Sequence, residues 1–462
     1  MKNKIFIILL AILLAGCSPG NGTSDIFPDY RDVTVPCNIA PLNFHYTGTR
    51  SPRTSFSAGD VHFSVSGRNV IIDRKKWERL LEAAEGGHIE VRSSVMEGWK
   101  IYVSPDGVDR YLTYRLIEPG YEVWDRVEIR ERDLTGFTER VLSSHENTGN
   151  SCMNCHIHKR DRTMFYLRGT KGGAIYNDGS NIRKLNLKNE DMISGTVYGD
   201  LHPDGRWGVF STNIIIPGFH ALGDRRLEVY DTASDLTVAD FDNNRMINTT
   251  SFARTDKFET FPCFSADGQS VFYCSADTVS LPQDIQNLKY SLLRTGFDKE
   301  TGILGPETTV IWDAEERNGS VCHPKASPDG KWLLFTVADY GTFPIWHREC
   351  DLQMLDLENG TVLSMDAANS GVPDTYHSWS SNSRWFVFAS KRDDGQYGKP
   401  FLCHVDEKGN ISKPFVVPQK DPYHYENTLK SYNIPDLGAM AAPYDYKSIG
   451  MIRDNTDAEP FK

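Results

Sequence analysis

Ser327-Pro328-Asp329-Gly330-Lys331-Trp332-Leu333-Leu334-Phe335 is the unit from which most of this chain is built. Asp-Gly suits a tight turn, because glycine takes positive backbone angles freely and aspartate tolerates them. An apolar strand follows the turn. The unit recurs without gaps as His202-Pro203-Asp204-Gly205-Arg206-Trp207 running to Phe210, as Ser265-Ala266-Asp267-Gly268 to Tyr273, and as Ser380-Ser381-Asn382-Ser383-Arg384-Trp385 to Phe388. Further strands follow, for example Leu227 to Tyr230, Leu352 to Leu357 and Phe401 to Val405. Four-strand units at intervals of about sixty residues indicate the blades of a β-propeller. Asp204 and Asp329 are then turn formers, not catalytic acids.

Gly173 to Leu187, with Asn177-Asp178-Gly179 at its turn, is a partial unit ahead of these four. That makes five recognisable units and an irregular C-terminal tail, and the fourth full unit lacks Pro-Asp-Gly. Ser104-Pro105-Asp106-Gly107 has the same signature and would start the propeller near Trp99. No unit after it keeps the register, so the propeller and tail are expected at 164–462.

The chain begins with Lys2 and Lys4, then the apolar run Ile5 to Leu14, which is the pattern of a bacterial export signal over residues 1–16. Leu14-Ala15-Gly16-Cys17 resembles a lipobox, which implies lipidation at Cys17. Acyl chains anchor through buried methylenes at about 0.8 kcal/mol each, so several of them hold a soluble body on a membrane. No later stretch reaches the roughly 20 apolar residues needed to span a bilayer. Residues 17–32 are expected to be the lipidated cysteine and a tether. The expected location is the cell envelope, lipid-anchored at the outer membrane. The linker Ser18 to Gly22 carries no acidic run that would favour surface export. The chain has 462 residues, long enough for two or three domains, and a formal net charge of −12. That excess of acid argues against a nucleic-acid partner.

Residues 33–142 read as a small β-rich domain with one helix. Val61 to Val65 and Asn69 to Ile72 alternate as strands do. Asp73 caps a helix through Trp77, Leu80, Leu81 and Ala84, closed by Gly86-Gly87. Strands resume at Trp99 to Val103, Tyr111 to Leu116 and Glu122 to Ile129. Tyr102, Tyr111, Tyr114, Tyr121 and Trp124 are read as core and sheet-face aromatics.

Between this domain and the repeats, residues 143–163 form a polar connection that contains Cys152-Met153-Asn154-Cys155-His156. C-x-x-C-H is the pattern of covalent haem attachment. Cys152 and Cys155 would form thioethers with the two vinyl groups, and His156 would be the proximal ligand of the haem iron. Met164 and His145 are candidate sixth ligands. His158 is too close in sequence to His156 to cross to the opposite haem face. Six cysteines remain: Cys37, Cys263, Cys274, Cys322, Cys350 and Cys403. They allow disulfides, with Cys263 and Cys274 the favoured pair, or buried free thiols.

The Ser-Pro-Asp-Gly-x-x-x-x-Phe units resemble the WD-like repeats of the TolB-type six-bladed propeller. Three further stretches occur in order: Asn38-Ile39-Ala40-Pro41-Leu42-Asn43-Phe44, Leu112-Thr113-Tyr114-Arg115-Leu116-Ile117-Glu118-Pro119-Gly120-Tyr121, and the C-x-x-C-H pentapeptide. With them, nearly the whole chain resembles a family of Bacteroidetes TolB-like propeller lipoproteins that carry a cytochrome c motif. The resemblance implies a mainly β fold, a lipid anchor and haem c, but no reaction. The expected role is electron transfer or redox sensing, with the propeller docking an unknown envelope protein. The alternatives are a scaffold that binds protein or glycan without haem, or a zinc knuckle at the Cys pair, which would lack a fourth ligand. An enzyme is not expected, because G-x-S-x-G, H-E-x-x-H and Walker-type loops are missing from the sequence.

Overall fold

The computed structural model describes residues 25–118, 126–148, 153, 156–169, 171–219 and 227–462. Cys17, Cys152 and Cys155 lie outside the described residues, as do Tyr121 and Trp124.

Six sheets form a propeller. Their inner strands are Ser431–Gly438, His156–Lys159, Thr196–Leu201, Lys257–Phe264, Ser320–Ala326 and Asp374–Trp379. In that order each strand contacts the next, and Asp374–Trp379 contacts Ser431–Gly438 again, so the ring is closed. The count of six, which the sequence left unresolved, follows from where the first blade finds its inner strand. Tyr111–Ile117, Glu128–Asp133 and Glu139–Ser144 supply its three outer strands. Ser431–Gly438 supplies the fourth and runs antiparallel to Tyr111–Ile117, with Tyr432 opposite Leu116.

Two expectations change with this. The strands Tyr111–Ile117, Glu128–Asp133 and Glu139–Ser144 are propeller and not part of a separate domain, and the propeller does not begin at 164. The tail expected to be irregular is the closing strand. It then forms the helix Tyr446–Asn455, whose N-cap Asp445 and Ser448 make a reciprocal capping box. Glu459–Pro460 ends the chain as a parallel fifth strand on the second blade, beside Ile182–Asn186. Arg183 holds that strand through Glu459, and Phe461 is buried with Phe241. Ser104–Gly107 lies just ahead of the strand that begins at Tyr111, and Gly107 O accepts from Asn382 Nδ2 of the sixth blade's turn at 2.6 Å.

The turn chemistry explains the repeats. Ser265 and Ser327 each donate a 2.6 Å hydrogen bond to the turn aspartate two residues on. Gly205, Gly268 and Gly330 have φ of 84°, 70° and 77°. Ser383 takes the glycine's place in the degenerate unit with φ 61°, and its hydroxyl accepts a 2.9 Å hydrogen bond from the Asp329 backbone N–H. Behind the turns, Trp207, Trp332 and Trp385 are fully buried.

Residues 26–104 form the N-terminal module. One sheet has three strands, and a second has five with the helix Arg74–Ala84 packed on it. Asp73 caps that helix by accepting from the Lys76 N–H. The tether is shorter than expected, because Ile26 and Tyr30 are already buried. The module shares one core with the fifth and sixth blades, uniting Trp77 and Phe44 with Trp332 and Trp385. Trp385 Nε1 donates to Asp106 O at 2.8 Å, and Asp109 accepts from both the N–H and the hydroxyl of Ser381.

The favoured disulfide is not formed. All six described cysteines are free, and Cys263 pairs across the ladder with Phe272 while Cys274 pairs with Thr260. A register shift separates the two positions, which leaves Cys263 at the central channel and Cys274 in the core between blades.

The turn glycines differ in their room for a methyl group. At Gly268 a Cβ would overlap the His202 ring, whereas at Gly330 it would meet only the Ala266 methyl at 3.4 Å. Both positions carry the left-handed backbone cost of about 1–2 kcal/mol. Gly268→Ala is therefore expected to destabilise the fold more than Gly330→Ala, by at least a further ~1 kcal/mol in urea unfolding.

Candidate functional site

The channel enclosed by the inner strands is built by a repeated irregularity. Each inner strand from the third blade to the sixth, and the closing strand of the first, slips register against its neighbour. The slips fall at Thr196/Gly199, Thr260/Cys263, Cys322/Lys325, Thr375/His377 and Asn433/Asp436. Such β-bulges re-aim side chains. In four of them a residue other than glycine takes a left-handed backbone: Phe261 (φ 50°), His323 (54°), Tyr376 (48°) and Ile434 (48°). Strain of this kind costs about 1–3 kcal/mol per residue and collects at functional sites.

The bulges line the channel in two tiers. One is aromatic: Tyr198, Phe261, His323 and Tyr376, with ring centroids 4.4, 4.1 and 5.0 Å apart in that order. Two residues further along each strand lies a polar tier of Asp200, Cys263, Lys325, Ser378 and Asp436, to which the second blade adds Lys159. The cavity measures about 680 Å³ and extends from the rings to the turn residues Pro203, Ser265 and Ser327.

Charge in the polar tier is unevenly matched. Lys159 Nζ holds both carboxylate oxygens of Asp200 at 2.8 Å, and Asp200 also accepts from the Phe264 N–H at 3.0 Å. Burial pushes the Asp200 carboxyl up, but Lys159 and Lys325 outweigh it and hold it below its ordinary range. Burial raises Asp436 to about 7 against the pull of Lys325, and it accepts from the His158 N–H at 3.2 Å. Burial pushes the Cys263 thiol up to about 11, helped by Asp200, so it is not a nucleophile at neutral pH. The channel histidines are neutral. Burial takes His377 to about 3, and burial with His377 and Lys325 drives His323 well below its ordinary value.

His156 opens the inner strand of the second blade and is fully buried at the channel wall. Burial, Arg115 and His158 lower it to about 3, although the Ile434 and Thr113 carbonyls pull the other way. Neither ring nitrogen has a hydrogen-bond partner among the described residues. Nε2 stands 3.8 Å from Asp436 Oδ2, and the ring lies against Phe165. A neutral imidazole with unpaired nitrogens is a competent iron donor, so in its chemistry His156 fits the haem that C-x-x-C-H implies.

The candidate sixth ligands are placed differently. Met164 pairs with Ile157 and is buried among Tyr166, Tyr176 and Phe210. His156 pairs with the next residue, Phe165, which belongs to the opposite core. Adjacent residues of a strand face opposite ways, so Met164 is turned away from His156 and is withdrawn as a ligand. His145 sits half-buried in the turn after Ser144, and its Nδ1 has no partner among the described residues. His158 is committed at both nitrogens, to Thr113 Oγ1 at 2.7 Å and Met440 O at 2.9 Å. No three His, Cys, Asp or Glu side chains among the described residues converge as a metal site.

Sequence reasoning overlooked the two tiers, although their signal was present. Relative to the first turn residue (His202, Ser265, Ser327 and Ser380), the positions four and two earlier are Tyr198 and Asp200, Phe261 and Cys263, His323 and Lys325, and Tyr376 and Ser378.

Comparisons with known proteins bear on the fold only. No family model matches the chain, and a search of curated proteins finds no match. Among solved structures it is similar to TolB from Acinetobacter baumannii, at 12% identity over 79% of this chain and 86% of that one, with a TM-score of 0.46. A hypothetical selenium-binding protein from Sulfolobus tokodaii matches at 11% identity over 78% and 91%, with a TM-score of 0.43. A gluconolactonase from Xanthomonas campestris matches at 10% identity over 67% and 87%, with a TM-score of 0.39. The closed ring of six sheets is what establishes a six-bladed β-propeller.

Two measurements probe the site. Lys159→Met would leave the Asp200 carboxylate buried without its ion-pair partner, and a loss of about 3 kcal/mol in unfolding free energy is expected. The folded His377 titrates at about 3, below its unfolded value of 6.5. Its contribution is therefore complete above 6.5 and is lost as pH falls towards 3, because the unfolded ring takes a proton that the folded one refuses. His377→Gln lacks that response. Urea midpoints from pH 7 down to 4 should show the wild type losing its advantage by up to about 1.4 kcal/mol per pH unit, whereas a constant gap would mean that the buried ring titrates normally.

Proposed function

We propose that this protein is an exported, lipid-anchored propeller of the cell envelope that carries one c-type haem and acts in electron transfer or redox sensing, with the propeller docking an envelope partner. Cys152 and Cys155 supply the thioethers and His156 the proximal nitrogen. The observation that carries this reading is the His156 imidazole, which is neutral and buried, with neither ring nitrogen in a close hydrogen bond among the described residues, directly after the second cysteine of the motif. Leaving a buried donor and acceptor unpaired costs about 1–3 kcal/mol each, and a ligated metal would remove part of that cost. A bound haem supplies one-electron redox chemistry, tuned by its second axial ligand. Phe165 stacks on the imidazole and holds its plane, while burial keeps the ring deprotonated at any physiological pH. His145, with an unpartnered Nδ1 among the described residues, would be the candidate second ligand.

A second reading is a binding propeller without haem, with the cysteine pair reduced or disulfide-bonded. What favours it is the slot around His156, where Nε2 already faces the Asp436 carboxyl at 3.8 Å. The two readings part on one preparation. Full-length protein from a host with haem-maturation machinery should show a Soret band that survives acid-acetone extraction and disappears in Cys155→Ser. A colourless wild type from that host sinks the haem reading and leaves the binding propeller. In the same preparation Cys17→Ser should move the protein from the membrane to the soluble fraction.

A further inference from the structure

We propose that the central channel is a binding site for a small organic carboxylate, with the carboxylate on the Lys325 ammonium and a flat or short carbon skeleton against the rings of Phe261 and His323. The charge and shape of the channel carry the proposal, and haem-free protein tests it apart from the haem reading.

The first ground is an unmatched charge. Of the two ammonium groups in the polar tier, Lys159 is occupied by Asp200 and the Leu201 carbonyl. The Lys325 ammonium makes no hydrogen bond or ion pair with any described residue, although Asp200 and Asp436 are near enough to raise its pKa against burial. It therefore stays charged inside a cavity. Asp200 is already satisfied by Lys159 and the Phe264 N–H. Asp436 accepts from the His158 N–H. Neutral His323 and His377 add no charge. A half-buried ammonium that lines the channel without an ion-pair partner is a ready anchor for an incoming anion.

The second ground is shape. The rings of Tyr198, Phe261, His323 and Tyr376 form an unbroken apolar wall two residues along the strands from Lys325. Left-handed backbones at Phe261, His323 and Tyr376 point three of those rings at the cavity. A pocket with an aromatic wall and one convergent charge is the usual architecture of a small-ligand site, and about 680 Å³ is within the usual size. A cation is disfavoured by the two ammonium groups.

The test uses 4-bromobenzoate as probe and its neutral isostere 4-bromobenzamide as control, titrated calorimetrically into the full chain. Wild type should bind the benzoate about tenfold or more tightly than the benzamide, because a charge-assisted hydrogen bond separates them. Lys325→Arg should keep that preference, and Lys325→Met should abolish it while leaving benzamide binding unchanged. If Lys325→Met does not fold, the benzoate-to-benzamide ratio on wild type and Lys325→Arg decides alone. The bromine anomalous signal in a soaked crystal should fall between Lys325 and the ring wall. The carboxylate has two possible sources, a diffusible acid or the propionates of a bound haem. Haem-free Cys155→Ser protein separates them: binding to both forms indicates a diffusible acid, and binding to the haem-free form alone indicates the propionates. Equal affinity for benzoate and benzamide, or no binding of benzoate to haem-free protein at about 20 mM, overturns the proposal.

Discussion

The pairing of Ser431–Gly438 with Tyr111–Ile117 is the constraint on which the rest depends. Without it the first blade would end in an open strand edge and the ring would stop at five complete sheets. A strand edge facing a cavity leaves backbone donors and acceptors unpaired, and those groups are expensive to bury. Closure by the far end of the chain solves this and joins residues more than three hundred positions apart. The short strand Glu459–Pro460 repeats the device on the second blade, with Arg183 bonded to Glu459, Asn244 and the Phe241 carbonyl around it. The N-terminal module adds a third tie, because its core is continuous with that of the fifth and sixth blades.

Closure also creates the channel, and the channel creates its own electrostatics. Six inner strands converge, so one position from each blade meets its counterparts around an axis. At the polar tier this brings Lys159, Asp200, Lys325 and Asp436 into one low-dielectric space, where each shifts the others. At the aromatic tier it brings together rings that could not stack along any single strand. The bulges are what permit both tiers, since a regular strand would send alternate residues between the blades and not along the axis. The left-handed backbones at Phe261, His323, Tyr376 and Ile434 are the cost of this arrangement, held in place by the closed ring around them.

His156 connects the fold to the motif that stands out in the sequence. It lies where the first and second blades meet, and its neighbours Asp436, Thr113 and Ile434 belong to strands from both ends of the chain. The environment of the C-x-x-C-H histidine is thus set by ring closure and not by the surrounding loop. The same geometry removes Met164, which lies on the other face of the blade, and accounts for His158 as an inter-blade bridge between Thr113 and Met440.

By itself the sequence determined whatever repeats locally. Turn chemistry at Asp-Gly, the tryptophan behind three of the turns (Trp207, Trp332 and Trp385), the helix capped by Asp73 and the mainly β class are encoded within a few residues, so they can be read without knowing what lies opposite. Six blades instead of five, the absence of a Cys263–Cys274 bridge, the first blade hidden in residues 111–144 and the company that His156 keeps were decided by tertiary structure alone. Each depends on strands that are distant in sequence and meet only when the ring closes. The channel tiers belong to both. Their residues stand at constant offsets from the repeated turn, but it takes the bulges and the closed ring to turn those offsets into a cavity.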